Sequence, residues 1–273
     1  MKLPRLFFDT NVLESLATPP FNAYLEKIRK HLSHEFVYVL SPLTVDELLL
    51  GIHSGDEQFF RKDQAKMEVL RGVGQIRLLP FPASFALKQA LEIHVNPPTA
   101  SAAVVKKSID AVIRARSKAH LEQGLVPLRL SRKTGGLNFE PIVQRHTLGK
   151  AEHARILESL RAKQVRRPTS VEWVKKSFRY FGLELGDGDW LKLASAMEAA
   201  FTLNDFLCDQ AEQERYDFAK HDSDWIDVHQ LFYLCDPSVH FLTRDVKLRN
   251  RIGKCGQASR IILLDEVVKA LGL

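Results

Sequence analysis

The chain is poor in cysteine. Its three, Cys208, Cys235 and Cys255, stand far apart and form no C-x-x-C pair. That excludes a disulfide framework and a thiolate zinc site, and it fits a reducing setting. Long apolar runs are also missing, with nothing near the ~20 residues of a membrane span. The apolar stretch near the start is short and broken by Asp9. It does not read as a secretion signal, so a cytoplasmic location is expected. There is no internal repeat and no low-complexity tract, and the histidines show no metal-ligand spacing. The pair Gly135-Gly136 lacks the G-x-x-x-x-G-K-S/T spacing of a phosphate loop and reads as a plain loop.

What is present is ordinary in bulk: 45% hydrophobic and 26% charged residues, the balance of a globular protein with a real core. The first strong signal is Leu6-Phe7-Phe8-Asp9-Thr10-Asn11. A continuous apolar run reads as a buried parallel strand. Open α/β sheets bind ligands beyond the carboxyl ends of their strands, which puts Asp9 at the mouth of a crevice. An acid there either caps the next helix or holds a hard cation, and the second use needs partner acids.

The rest of the chain supplies them. A second strand over 36–40 leads to Ser41, a natural N-cap, and Pro42, suited to the first helical position. Glu47 then falls in the second turn of that helix. Further helices are predicted over 21–34, 56–73 and 83–94, with a strand over 76–79. Such alternation predicts an α/β fold with a parallel central sheet covered by helices. After Asn96-Pro97-Pro98 the chain becomes basic. Residues 96–182 carry 18 Lys and Arg against 6 Asp and Glu, net +12, which leaves −6 for the remainder of a chain at +6. Helices are predicted there over 101–123, 150–165 and 170–181, a loop over 129–138, and one long helix over 189–220. The sheet pattern returns with a helix from 221 to about 234 that carries Asp222, Asp224 and Asp227. A strand over 239–242 ends in Thr243-Arg244-Asp245. A helix over 246–252, a strand over 261–264 and a terminal helix capped by Asp265 complete the chain.

Taken singly, the acids have plain explanations: Asp9 and Asp245 as helix caps, Glu47 as a surface acid. Taken together, two strand ends and two helix starts bring four carboxylates to one sheet edge. Like charges so gathered repel unless a cation or protons offset them, and magnesium and manganese take oxygen ligands.

Phe7-Phe8-Asp9-Thr10-Asn11-Val12-Leu13, the segment from Ser41 to Leu48 with Glu47, Asp227, and Leu242-Thr243-Arg244-Asp245 resemble the four acidic motifs of PIN-domain nucleases. Leu78-Leu79-Pro80-Phe81 and the helix after it resemble the middle of that family. The resemblance covers residues 1–95 and 221–273 and leaves 96–220 as a basic helical insertion. It implies a three-layer α/β/α fold and metal-dependent phosphodiester cleavage of RNA, less often DNA. Asp9, Glu47, Asp227 and Asp245 would be the catalytic residues and the Mg2+ or Mn2+ ligands. Asn11 and Thr243 would orient an acid, a water or a phosphate. Asp227 is preferred as the third acid because it lies 18 residues before Asp245, near the family's gap; Asp224 is an N-cap or a further ligand. The resemblance also raises a homodimer and an antitoxin-like partner.

Arg244, Lys106, Lys107, Arg132 and Lys133 are candidate phosphate contacts, because Lys and Arg give affinity for nucleic acid without sequence reading. The plain alternative for the basic stretch is a set of solvated helix faces. A nucleic-acid-binding module without cleavage, or a toxin-like protein silenced by a partner, is the alternative function. An aspartyl-nucleophile phosphatase is disfavoured because Asn11 stands where such enzymes commonly have a second Asp. Trp173, Trp190 and Trp225 are expected to be core anchors, and His229 a structural histidine.

Overall fold

A computed structural model describes residues 3–72, 77–95, 102–123, 126–127, 134–135, 139–218, 220–221 and 223–273. The first part runs β1 (Arg5–Phe8), α1 (Thr10–Ala17), a 3-10 turn (Phe21–Tyr24), α2 (Leu25–Glu35), β2 (Val37–Leu40), α3 (Pro42–Ser54), α4 (Glu57–Gly72), β3 (Arg77–Leu78) and α5 (Pro82–Leu91). The middle contains α6 (Ala102–Arg114), α7 (Lys118–Glu122), β4 (Val126–Pro127), β5 (Thr134–Gly135), α8 (Glu140–Arg161), α9 (Ser170–Ser177), a 3-10 turn (Arg179–Phe181), α10 (Asp187–Ala196) and α11 (Glu198–Glu212). The last part is α12 (Asp224–Gln230), a 3-10 turn (Leu231–Cys235), β6 (Val239–Thr243), α13 (Val246–Arg251), a 3-10 turn (Gly256–Arg260), β7 (Ile261–Leu263) and α14 (Leu264–Ala270).

Five strands form one parallel sheet in the order β3-β2-β1-β6-β7. Successive side chains on a strand face opposite ways, so each strand feeds two cores. Phe7, Val39, Phe241 and Ile261 enter a cluster with α5 and α8 to α11. Leu6, Phe8, Leu40 and Leu242 enter a second cluster with α1 to α4, α6 and α14. The α/β expectation with a covered parallel sheet therefore holds. The segment 96–220 contributes to both clusters: Ile109 and Val112 to one, Leu157, Trp173, Leu193 and Leu207 to the other. Its helices complete the layers over the sheet. Trp173, Trp190 and Trp225 are all buried, as expected. Among the described residues no helix is long and apolar enough to cross a membrane.

Several predicted boundaries are corrected. The single helix expected over 189–220 is two, α10 and α11, because Met197 leaves helical geometry between them. The turn lets α10 pack on α5 while α11 packs on α8. The helix expected over 101–123 breaks after Arg114, and Ser117 caps α7 by accepting from the His120 N–H at 3.1 Å. α8 starts at Glu140 rather than 150, with Pro141 in its first turn. The helix predicted from 21 opens as a 3-10 turn. The loop expected over 129–138 contains β5, which pairs antiparallel with β4. Leu264 starts the terminal helix, and Asp265 lies in its first turn rather than capping it.

Candidate functional site

The strand order reverses beside β1: β2 follows it on one side, whereas β6 and β7 arrive later on the other. Such a reversal opens a crevice at the carboxyl ends of the two adjoining strands. Asp9 directly follows β1, and Thr243 closes β6. Because Phe8 is in register with Leu242, Asp9 comes to stand beside Thr243. The Thr243 hydroxyl donates to Asp9 Oδ2 at 2.7 Å, and Asn11 Nδ2 donates to the same oxygen at 2.5 Å. Asn11 also reaches Thr243 Oγ1 at 3.2 Å and accepts from the Arg244 N–H at 2.9 Å. Asp9 sits at the N-cap position of α1 yet makes no side-chain cap bond. Its carboxylate is directed across the crevice, which removes the capping alternative.

Glu47 is placed by the start of α3. Ser41 Oγ accepts from the Leu43 N–H at 3.2 Å, and the Thr44 hydroxyl donates to the Phe8 carbonyl at 3.1 Å. That bond ties the first turn of α3 to the end of β1. Glu47, three residues on and so on the same helix face, is brought to the crevice. The Thr10 hydroxyl donates to Glu47 Oε2 at 3.3 Å and to Asp9 Oδ1 at 3.4 Å. Asp245 accepts from the Leu248 N–H at 2.9 Å, so it caps α13, while its own N–H donates to Thr243 Oγ1 at 2.9 Å. Asp227 comes from α12.

The electrostatics join these acids. Burial, then the charge of Asp9, pushes the Glu47 carboxyl up to about 8. Burial raises Asp9 too, opposed by the Thr243 hydroxyl and the Thr10 N–H and helped by the charge of Asp245. Asp227 is raised well above the usual carboxylate range by burial, and after it by Asp9, Glu47, Asp224 and Asp245. Asp227 therefore lies within electrostatic reach of Asp9, Glu47 and Asp245, and Asp9 within reach of Glu47 and Asp245. Asp224 is buried on the same helix as Asp227, with His221 at 3.5 Å. Burial raises Asp224 while His221 and Arg251 lower it.

The remaining expected residues divide. Arg244 is exposed at the crevice edge, where its guanidinium meets Ser15 Oγ at 3.0 Å, Asp265 at 3.3 Å and the Phe21 ring at 4.9 Å. Lys106 and Lys107 are exposed on α6, which lies on α4, a helix away from α1 and α3. Arg132, Lys133 and Asp222 lie outside the described residues. His229 donates from Nδ1 to the Trp225 carbonyl at 2.6 Å and stacks on Phe232, the structural role expected of it. Much of the basic segment's charge is engaged in ion pairs. Arg167 meets Asp205, Asp209 and Glu212 at 3.4, 2.9 and 2.6 Å, Arg166 meets Glu172, and Arg145 meets Asp46 at 2.8 Å.

Three features escaped the sequence reading. Thr10 bridges two of the acids; its place between Asp9 and Asn11 was the only signal. Asp46, next to Glu47, is held by Arg145 on α8, a contact across 99 residues. On the same helix, Gly149 lies against Trp225, two residues before Asp227: a Cβ at Gly149 would stand 2.8 Å from the ring. α8 therefore braces both acid-bearing helices from outside the sheet.

The donor set is all oxygen and anionic, which suits a magnesium- or manganese-like cation. Buried like charges repel, and a bound cation would offset that repulsion. Among the described residues, no three His, Cys, Asp or Glu side chains stand close enough to hold an ion as they are. Magnesium asks for less, since it keeps several waters and takes one or two carboxylates. Compared with known proteins, the chain significantly matches no family model, no curated protein and no solved structure.

Proposed function

We propose that the protein is a metal-dependent nuclease of the PIN-like kind, hydrolysing phosphodiesters of RNA in preference to DNA. What supports this reading is that Asp9 and Glu47 meet through the Thr10 hydroxyl at the strand-order reversal, with Asp227 and Asp245 within electrostatic reach of Asp9. Asp9 and Glu47 are the acids best placed to be ligands, because Thr243, Asn11 and Thr10 hold their oxygens in fixed directions. Asp227 and Asp245 complete the set, with Asp224 behind them. A bound divalent cation supplies charge neutralisation and an activated water at such a site. In its absence Glu47, pushed up to about 8, holds its proton at neutral pH, and burial with its neighbours' charges pushes Asp227 in the same direction. Arg244 stands at the rim as a phosphate contact.

A binding module without cleavage is the second reading, in which the basic segment contacts nucleic acid and the acids play no catalytic part. Labelled single-stranded RNA and DNA incubated with Mn2+ or Mg2+, against EDTA, separate the two. Cutting that requires the ion and falls by about 10²-fold or more in Asp9→Asn is expected for a lost catalytic group. Binding without cutting, equal in wild type and variant, moves the assignment to the module.

A further inference from the structure

We propose that Arg155, Lys176, Arg179 and Tyr180 form a platform for a single-stranded nucleic acid, with one base on the Tyr180 ring and phosphates on Arg155 and Lys176. The inference rests on the nucleic-acid reading above and places a contact surface outside the acidic crevice.

The turn that carries Tyr180 is anchored. Phe178 is fully buried, with its ring 5.9 Å from Phe232 and 6.1 Å from Phe181. Gly182 closes the turn at φ +59°, a conformation that favours glycine. Between two inward phenylalanines, Tyr180 is turned to solvent and is 76% exposed. A rigid, outward aromatic ring is a ready stacking surface.

The charge around it is unbalanced. The Arg179 guanidinium lies 4.6 Å from the Tyr180 ring centroid and bonds the phenol oxygen at 2.5 Å. It also meets Glu152 at 3.0 Å, and Arg155 meets the same carboxylate at 3.2 Å. Lys176 joins them from α9. Burial lowers its ammonium, Glu152 opposes that, and the Arg155 and Arg179 charges add to it. Arg155 and Arg179 thus share one carboxylate, and Lys176 lies within electrostatic reach of it. Unlike Arg167, which three carboxylates surround, this group has positive charge to spare for an anion. A polyanion that also offers flat faces fits both halves of the patch. Duplex bases hide their faces, whereas unstacked bases present them to aromatic side chains. An acidic peptide would satisfy the cations but not the ring.

The test is fluorescence anisotropy of the full chain with labelled oligopyrimidines of about 12 nucleotides, within known single-strand site sizes. Single strands and their duplexes are compared in EDTA, which prevents cutting, with a polyglutamate peptide as competitor. Tyr180→Ala is expected to weaken single-strand binding about tenfold and to spare duplex binding, while Tyr180→Phe keeps the affinity. Arg155→Ala should weaken binding and reduce the salt slope by about one. Single-strand affinity unchanged in Tyr180→Ala overturns the platform, as does displacement of wild type by polyglutamate at matched charge. If the wild type cuts while Tyr180→Ala binds normally, only the platform falls. If Tyr180→Ala loses binding and the wild type never cuts, the nuclease reading falls and the platform stands.

Discussion

Thr243 Oγ1 and Asn11 Nδ2 both donate to Asp9 Oδ2, so a carboxylate that burial disfavours as an anion keeps two fixed donors. Glu47 is less well served: among the described residues Thr10 donates to it, while burial and then the charge of Asp9 take its carboxyl from 4.5 up to about 8. The native chain therefore holds a proton on Glu47 that the unfolded chain has released. Stability linked to a raised carboxyl is full below the unfolded value and is lost as pH rises through the folded one. The melting temperature of the metal-free protein is expected to fall between about pH 4.5 and about pH 8, with Asp9 and Asp227 acting in the same direction. Glu47→Gln should flatten that slope. A melting temperature that rises across this window in thermal scans would show that these acids are not in repulsive contact.

At the scale of elements, α8 connects the insertion to the acids. Arg145 grips Asp46 beside Glu47, and Gly149 admits the Trp225 ring beside Asp227. Gly149→Ala should force the ring aside and destabilise the fold by about 1–3 kcal/mol, the usual cost of overpacking. Urea denaturation reads the loss; an unchanged midpoint would remove α8 as a brace. The glycine itself was unremarkable in the sequence, because its reason lies 76 residues away in Trp225. The strand-borne part of the site was legible, since apolar runs that stop at Asp9 and Thr243 mark strand ends directly. The helix junctions were not. Apolar residues continue across Met197 without glycine or proline, so the break between α10 and α11 follows from packing on two different partners. Pro141, in contrast, was a usable start signal for α8. Spacing favoured Asp227 over Asp224; in the fold Asp227 is raised by burial and by the neighbouring acids, whereas Asp224 has His221 at its side.

At the scale of the whole molecule, the basic segment does two things. Arg145 is spent in an ion pair that joins α8 to α3, Arg167 ties the segment before α9 to α11, and Arg166 meets Glu172 six residues on, which composition alone could not separate from a free basic face. Arg155, Lys176 and Arg179 keep charge in excess. The helices of this segment contribute to both cores over the sheet, so the chain's charge polarity does not coincide with separate packing units. α8 links this segment to the crevice, where the proposed role of the four acids is to take up a divalent cation. Titration of the metal-free protein with Mn2+, followed by the loss of free-ion EPR signal, tests that most directly. The account predicts saturable binding that weakens at least about tenfold in Asp9→Asn and in Asp227→Asn, as metal-site losses do, and that tightens as pH rises toward about 8, where Glu47 gives up its proton. Binding that is equally weak in wild type and both variants, and indifferent to pH, would contradict it.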